Sequence, residues 1–189
     1  SKHDLSAQLT ACGLHALPRR YLEDVVAPYP DRYLARLDAA YSGYGIVRYV
    51  EAGRFTPMAI GRAVQDDAGR RAMRSVLDDD AARVVVEDYL EGDEYSADVF
   101  VHRGRPVVLR LFRKSVAWIG GRPVCDSYIT VPQDTALYAV IHDWCEALYS
   151  PGCTSFGQFD FIVVDRRAVA VDFSCRIGGG LGAIKRFAG

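Results

Sequence analysis

The most informative stretch of the chain is Phe156-Gly-Gln-Phe-Asp-Phe-Ile-Val-Val-Asp-Arg-Arg-Ala-Val-Ala-Val-Asp-Phe-Ser-Cys-Arg-Ile-Gly-Gly-Gly180. Alternation of apolar and polar residues predicts one strand from Gln158 to Val164 and a second strand from Ala168 to Ser174. The charged cluster Asp165-Arg166-Arg167 between them suits a tight turn. The stretch therefore predicts an antiparallel hairpin.

Two carboxylates and a hydroxyl group lie near the open end of this predicted hairpin. Asp160 precedes the charged cluster by five residues and Asp172 follows it by five, so the paired strands bring the two acids close together. Ser174 shares the face of Asp172, because strand side chains repeat every second residue, and Arg176 extends from the same end. Such oxygens suit a magnesium-bound phosphate. The alternative is a solvated hairpin whose acids face water.

Composition limits the classes of protein that the chain can belong to. Its 189 residues can bury a core, as one domain or as two small lobes. Because 23 lysines and arginines stand against 24 acids, there is no bulk attraction to nucleic acid or to a membrane, and neither is expected as a partner. No apolar run approaches the roughly 20 residues that span a bilayer, and no signal peptide opens the chain. The odd number of cysteines, without a Cys-x-x-Cys pair, favours a reducing, cytoplasmic location.

Hydrophobic periodicity elsewhere predicts helices alternating with antiparallel strands. The predicted helices are Lys2–Cys12, Thr56–Leu77 and Thr135–Leu148. The predicted strands are Tyr33–Leu37, Ile46–Val50, Val84–Val86, Glu94–Val101 and Pro106–Arg113. Lys114 is expected to end the last of these strands, and a mobile segment, Ser115–Asp126, is expected to follow it. This segregation of strands and helices predicts an α+β fold in two small lobes.

The run Val84-Val-Val-Glu-Asp-Tyr-Leu-Glu-Gly-Asp-Glu94 resembles the hinge segment of the ATP-grasp superfamily of ATP-dependent ligases. In that family the hinge backbone holds adenine, and the last acid holds the ribose hydroxyls. The resemblance therefore implies that Glu87, Tyr89 and Leu90 contact the adenine of ATP and that Glu94 binds the ribose.

A second resemblance lies in the predicted hairpin. Asp160, followed twelve positions later by Asp172-Phe-Ser-Cys-Arg176, is similar to the acid and Glu-x-Asn-x-Arg motif of the same family. It implies that Asp160, Asp172 and Ser174 hold Mg²⁺ or Mn²⁺. It also implies that Arg176 is a catalytic residue that meets the transferred phosphate and the acyl phosphate. Lys114 resembles a further phosphate-facing catalytic lysine.

A third resemblance joins the run Arg36-Leu-Asp-Ala-Ala-Tyr-Ser-Gly-Tyr-Gly-Ile46 to the phosphate-binding loop of the family. It implies that Arg36 and the loop residues Ser42, Gly43 and Gly45 grip the ATP phosphates. Lys2 resembles a further phosphate-binding lysine of the family.

The resemblance as a whole implies the ATP-grasp fold, in which two small α+β lobes with antiparallel sheets grip ATP between them. Residues 1–86 would include the small lobe with its phosphate loop, at about 33–86, and residues 87–189 would carry the hinge and the metal-binding hairpin. The domain that usually precedes these lobes has no counterpart in the sequence. The chain would then be a piece of a larger ligase or be completed by a partner chain, and a homodimer is also left open.

The implied activity is that of an ATP- and Mg²⁺-dependent ligase. Such an enzyme activates a small-molecule carboxylate as an acyl phosphate, which an amine then attacks to form an amide or peptide bond. Several residues depart from the family pattern, since Arg36 replaces lysine, Leu37 replaces proline, Asp172 replaces glutamate and Ser174 replaces asparagine. Three alternatives remain open: a nucleotide-binding module with impaired catalysis, a phosphoryl-transfer or carboxylase-type enzyme on the same fold, and an α+β interaction domain without a nucleotide.

Some residues outside these motifs allow two interpretations. Arg110, Arg113 and Trp118 either line a substrate pocket or are solvated on a strand surface, and solvation is expected of the arginines. His102 and His142 are expected at the surface. Cys175 is expected to be a small buried filler.

Overall fold

The computed structural model describes residues 1–21, 32–38, 46–51, 54–57, 84–119, 122–132 and 136–176. Within these ranges the chain forms two helices, α1 (Lys2–Ala11) and α2 (Ala136–Leu148). It also forms ten strands: β1 (Arg19–Tyr21), β2 (Arg32–Leu37), β3 (Ile46–Glu51), β4 (Arg54–Pro57), β5 (Val84–Asp88), β6 (Asp93–His102), β7 (Arg105–Ile119), β8 (Arg122–Thr130), β9 (Ser155–Val164) and β10 (Arg167–Ser174). Neither of the two described helices is long and apolar enough to cross a membrane.

Contacts divide the chain into two units, and each unit contains one five-stranded sheet. The first unit comprises Ser1–Ala7, Leu17–Leu90 and Gly120–Arg122, and the second comprises Gln8–Ala16, Glu91–Ile119 and Pro123–Gly189. Every named strand pair in the two sheets is antiparallel. The α+β class is therefore confirmed. The predicted division into residues 1–86 and 87–189 stays a prediction.

The sheet of the first unit has the strand order β1-β5-β2-β3-β4. Strand β5 lies between β1 and β2, where Val85 and Val86 are buried, as their β-branched side chains predict. Thr56 and Pro57 belong to β4, so the prediction that a helix begins at Thr56 is wrong. Ladder pairing of β4 with β3 outweighs the helical pattern there. The rest of that predicted helix lies outside the described residues.

The sheet of the second unit has the order β10-β9-β6-β7-β8, and α2 packs on one of its faces. The indole ring of Trp144 on α2 is fully buried, with its centroid 5.5 Å from the ring of Phe159 and 5.3 Å from that of Phe161. Ala97 and Val99 of β6 are buried as well. Since strand side chains alternate, the residues between these apolar ones point to the opposite face of the sheet.

Strand β7 continues through Lys114 to Ile119, so the prediction that Lys114 ends the strand is wrong. The predicted mobile segment Ser115–Asp126 is wrong as well, since its described residues belong to β7 and β8. Val116, Trp118 and Ile119 are β-branched and aromatic residues that favour strands. The two strands are neighbours in the sheet, which satisfies their backbone groups.

The hairpin of β9 and β10 has a tighter turn than its sequence suggests. Arg167 pairs with Val164 and belongs to β10, so the loop consists of Asp165 and Arg166 alone. Both residues have positive φ angles, 49° and 65°, as a type I′ turn requires. The predicted hairpin is confirmed, with a loop one residue shorter than the charged cluster.

Candidate active site

Polar side chains line the sheet face opposite α2 in the second unit, in two rows that cross the strands. We call the first the acid row: Asp172, Asp160 and Ser96 are successive cross-strand partners on β10, β9 and β6. We call the second the arginine row. It crosses four strands and lies two residues after Ser96 along β6. It consists of Ser174, Gln158, Asp98 and Arg110.

A β-bulge places Asp172 in the acid row. Ala170 pairs with Phe161 on the buried face, and continued regular pairing would set Val171 opposite Asp160. The register instead shifts between Ala170 and Asp172, so that Val171 is the extra residue and Asp172 faces Asp160. The predicted proximity of the two acids is thus confirmed, although strict alternation from Ala170 would turn Asp172 toward the core.

Lys114 joins the acid row to the neighbouring strands. Its Nζ atom lies 2.7 Å from Oε1 of Glu94 and 2.9 Å from Oδ1 of Asp160. Burial of the ammonium acts to lower its pKa, but the charges of Asp160 and Glu94 outweigh burial and raise the pKa above the usual range of a lysine. Lys114 is therefore a fixed positive charge between two of the predicted ligand residues.

The polar face can accept a divalent cation. Glu94, Asp98, Asp160 and Asp172 supply four carboxylates, whereas Lys114 and Arg110 supply two positive charges, which leaves an excess of two negative charges. Oδ1 of Asp160 lies against the Lys114 ammonium, and the paired carboxylates of Asp160 and Asp172 face each other across the two strands. Paired carboxylates are ligands that Mg²⁺ prefers. Asp160 and Asp172 therefore fit a magnesium ion.

A second group of metal-ligand side chains lies on α2 and does not belong to this face. His142, Asp143 and Glu146 converge there, but all three are exposed, and Nδ1 of His142 already lies 3.4 Å from Oε1 of Glu146. Nothing in the described residues links this group to a ligand.

The first unit contains a buried carboxylate held by two arginines. Oε2 of Glu87 lies 2.6 Å from Nε of Arg19, and its Oε1 lies 3.0 Å from Nε of Arg36. Nη1 of Arg19 also donates to the carbonyl oxygen of Lys2, at 3.0 Å. Nη2 of Arg36 is buried and has no hydrogen-bond partner among the described residues. The triad keeps one net positive charge and an unused donor, which suits an anion.

The predicted site residues fall into three groups. Those in the first unit are Lys2, Arg36, Glu87, Tyr89 and Leu90. Those in the second unit are Glu94, Lys114, Asp160, Asp172, Ser174 and Arg176. Those outside the described residues are Ser42, Gly43 and Gly45.

The structure brings together Arg36 with Glu87, and Lys114 with its two acids. Tyr89 and Leu90 are half-buried just before the unit boundary, whereas Arg176 is exposed beyond the end of β10.

Sequence reasoning missed three buried charged residues. Arg19 was not singled out, and neither was Asp98, although Glu94, Ser96 and Asp98 follow the period of two that marks one strand face. Arg110 was expected to be solvated, but it is buried in an ion pair with Asp98, because the two residues are cross-strand partners.

The expectations for the other residues outside the motifs have mixed outcomes. The solvated position of Arg113 is confirmed, as are the surface positions of His102 and His142. Cys175 is exposed, so its assignment as a buried filler is wrong, because it lies just beyond the last residue of β10. The side chain of Trp118 lies outside the described part of the structure.

No protein-family model matches the sequence, and a search of curated proteins finds no match. Solved structures do match. An L-amino acid ligase from Bacillus licheniformis superposes with a TM-score of 0.61 at 17% identity, over 94% of this chain and 40% of that one. A D-alanine–D-alanine ligase from Bacillus anthracis in complex with ATP superposes with a TM-score of 0.52 at 14% identity, over 92% and 55%.

A carboxyaminoimidazole ribonucleotide synthase from Aspergillus clavatus, also in complex with ATP, matches with a TM-score of 0.64 at 12% identity, over 94% of this chain and 45% of that one. The chain thus spans between 40% and 55% of the length of these three proteins. Identities this low bear on the fold alone. The chain therefore has the ATP-grasp fold, as the resemblance of its three motifs predicted.

Proposed function

We propose that this chain belongs to an ATP-dependent carboxylate–amine ligase. The observation that carries the proposal is the acid row, in which the bulge sets Asp172 opposite Asp160 while Lys114 holds Asp160 from the adjacent side. Two carboxylates and one fixed ammonium suit a metal-bound polyphosphate. Two of the matched ligases and synthases, those from B. anthracis and A. clavatus, are described in complex with ATP.

The roles in the second unit follow from charge and position. Asp160 and Asp172 would hold Mg²⁺, with Ser174 as a neutral oxygen ligand, and Glu94 would accept hydrogen bonds from the ribose hydroxyls. When bound, Mg²⁺ would neutralise charge on the β- and γ-phosphates. Lys114 would stabilise charge on the transferred phosphoryl group, because its ammonium stays protonated beside its two acids. Arg176, exposed beyond β10, would meet the acyl phosphate.

The roles in the first unit concern the nucleotide. Arg36 would donate to a phosphate through its unused Nη2 atom, and Lys2 would add a second positive charge. Ser42, Gly43 and Gly45 would supply loop contacts to the same phosphates. Tyr89 and Leu90 would contact adenine. The carboxylate of Glu87 is engaged by Arg19 and Arg36, so we assign it to positioning Arg36 and leave the adenine contact to the backbone of Glu87.

The proposed reaction has two steps. A carboxylate oxygen of the substrate attacks the γ-phosphorus of ATP, the bond to the bridging oxygen breaks, and ADP leaves. The amine then attacks the acyl carbon, phosphate leaves, and the nitrogen loses a proton. Little covalent chemistry is required of the protein, so positioning and charge neutralisation supply most of the rate.

The test is a screen of carboxylate and amine pairs for phosphate release from ATP with Mg²⁺. Within an active pair, Asp172→Asn should lower turnover by about 100-fold or more, through lost metal affinity. Asp165→Asn is the matched control, because it removes a carboxylate from the exposed turn of the same hairpin, and it should change little. Equal turnover of wild type and Asp172→Asn would rule out the metal assignment.

A nucleotide-binding module without catalysis is the second candidate. Ser174 favours it, because a single hydroxyl opposite Gln158 is a weaker metal ligand than an asparagine amide oxygen would be. The same screen separates the two candidates. A module would bind ATP, detected as an ATP-dependent rise in melting temperature, and would release no phosphate with any pair.

A further inference from the structure

The arginine row contains a buried cation whose donors are only partly used. The side chain of Arg110 is 9% exposed and that of its partner Asp98 is 5% exposed. Nη2 of Arg110 donates to Oδ2 of Asp98, and the guanidinium carbon lies 5.1 Å from the ring centroid of Phe112. Nε and Nη1 of Arg110 are buried without a hydrogen-bond partner in the described parts of the chain.

Unused donors of this kind indicate a missing acceptor. A buried guanidinium loses its hydration, and each donor left without an acceptor destabilises the folded protein. The ion pair with Asp98 and the nearby ring of Phe112 hold the guanidinium of Arg110 in place before any ligand arrives. An arginine held in this way binds anions, and carboxylates in particular.

The position of the row specifies which anion this would be. Along β6, Glu94 comes first, Ser96 of the acid row follows, and Asp98 of the arginine row comes next. Adjacent rows are two residues apart, which is about 7 Å along a strand. In the proposed function Glu94 binds ribose and the acid row binds the metal and phosphates. The arginine row then lies on the far side of the phosphates from the ribose, where the phosphoryl acceptor has to be.

We propose that Arg110 binds the carboxylate group of the substrate that is to be phosphorylated, through its unused Nε donor. The inference rests on the proposed ligase function. Asp98 acts as a positioning residue, because it accepts from Nη2 of Arg110 and leaves Nε of the guanidinium for the ligand. Gln158, whose Nε2 donates to Oγ of Ser96 at 3.0 Å, ties the arginine row to the acid row.

The kinetic test compares Arg110→Gln with Arg113→Gln. Arg113 lies on the same strand but is 45% exposed, so its replacement removes the same charge without touching the row. With an active substrate pair, Arg110→Gln should raise the KM of the carboxylate by about 10- to 100-fold, as expected for lost hydrogen bonds to a charged group. The KM of ATP should stay within about twofold. An unchanged carboxylate KM, or a raised amine KM alone, would overturn the proposal.

Arg110→Lys covers the case in which Arg110→Gln does not fold. It keeps the ion pair with Asp98 but loses the planar donors, so the carboxylate KM should still rise. A wild-type KM for Arg110→Lys would also overturn the proposal.

A binding measurement separates this inference from the proposed function. In protein labelled with ¹⁵N at arginine, acetate should shift the Nε–H resonance of Arg110 saturably, while sodium chloride at equal ionic strength should not. The resonance is assigned by its loss in Arg110→Lys. Acetate binding without phosphate release from any pair would refute the ligase and leave the anion site standing. Phosphate release without an acetate-dependent shift would refute the anion site and leave the ligase standing.

Discussion

Replacing Lys114 by methionine should destabilise the second unit more than any exposed charge replacement. The change removes the ammonium that lies 2.7 Å from Glu94 and 2.9 Å from Asp160, and leaves two carboxylates without it. Breaking a buried ion pair by removing one partner costs about 3–5 kcal/mol. The carboxylates of Glu94 and Asp160 are 34% and 31% exposed, so water can solvate part of the released charge. We therefore expect the lower end, about 3 kcal/mol.

The assay is urea unfolding followed by tryptophan fluorescence, because Trp144 is buried in the core of the same unit. Arg113→Met is the control, since it makes the same chemical change one residue away, where the side chain is 45% exposed and 3.8 Å from Asp93. Its effect should stay within about 0.5 kcal/mol. Equal destabilisation by the two replacements would refute the reasoning, because it would show that Lys114 is no better paired than Arg113.

The pH dependence of the same difference gives a second check. A lysine whose pKa is raised on folding contributes stability that is fully present below its unfolded pKa, about 10.4, and is lost as pH rises through the folded value. The pKa of Lys114 is raised, since Asp160 and Glu94 outweigh its burial. The stability difference between wild type and Lys114→Met should therefore be flat from neutral pH to about pH 10 and shrink above it.

Two further replacements test the first unit and the entry to β6. Glu87→Gln should destabilise the first unit by about 3–5 kcal/mol in denaturant unfolding, because two buried arginines lose their shared charge partner. The control is Asp88→Asn at the exposed neighbouring residue, which should change the stability little. Similar midpoints for these two variants would contradict the buried triad. Gly92→Ala should destabilise the second unit by about 1–3 kcal/mol, because the added Cβ would lie 2.3 Å from the carbonyl oxygen of Val163. A wild-type melting temperature for this variant would show that β9 does not approach Gly92 so closely.

Much of the fold could be predicted from periodicity. Helices α1 and α2 and strands β2, β3, β5, β6, β9 and β10 lie close to their predicted ranges, because their apolar residues follow the patterns of helices and strands. Strand β1 and residues 127–130 of β8 are not among the predicted ranges. The sequence around Lys114 led to the wrong strand end, because its polar residues resemble the end of a strand. They belong instead to a strand face on which Lys114 is paired with Glu94 of the neighbouring strand.

The parts of the candidate site that come from one hairpin could be predicted from the sequence. The ion pairs that form between strands distant in the sequence could not. Asp160 and Asp172 belong to one hairpin, so local spacing predicted that they lie close together, although it did not predict the bulge that makes them face each other. The pair of Asp98 and Arg110 depends on the register of β6 with β7, and that of Arg19 and Glu87 depends on the register of β1 with β5. A single sequence does not contain those registers in readable form, because they are set by the packing of whole strands.

The bulge at Val171 also bears on how spacing between acids should be interpreted. In a regular hairpin with a two-residue loop, residues that face each other are always an odd number of positions apart. Asp160 and Asp172 are separated by an even number, and they face each other only because β10 carries one extra residue. The parity of the spacing between two facing acids therefore reports whether a bulge intervenes once the loop length is known. A related chain without the bulge should place its two acids eleven positions apart, and a search pattern with a fixed gap of twelve would miss it.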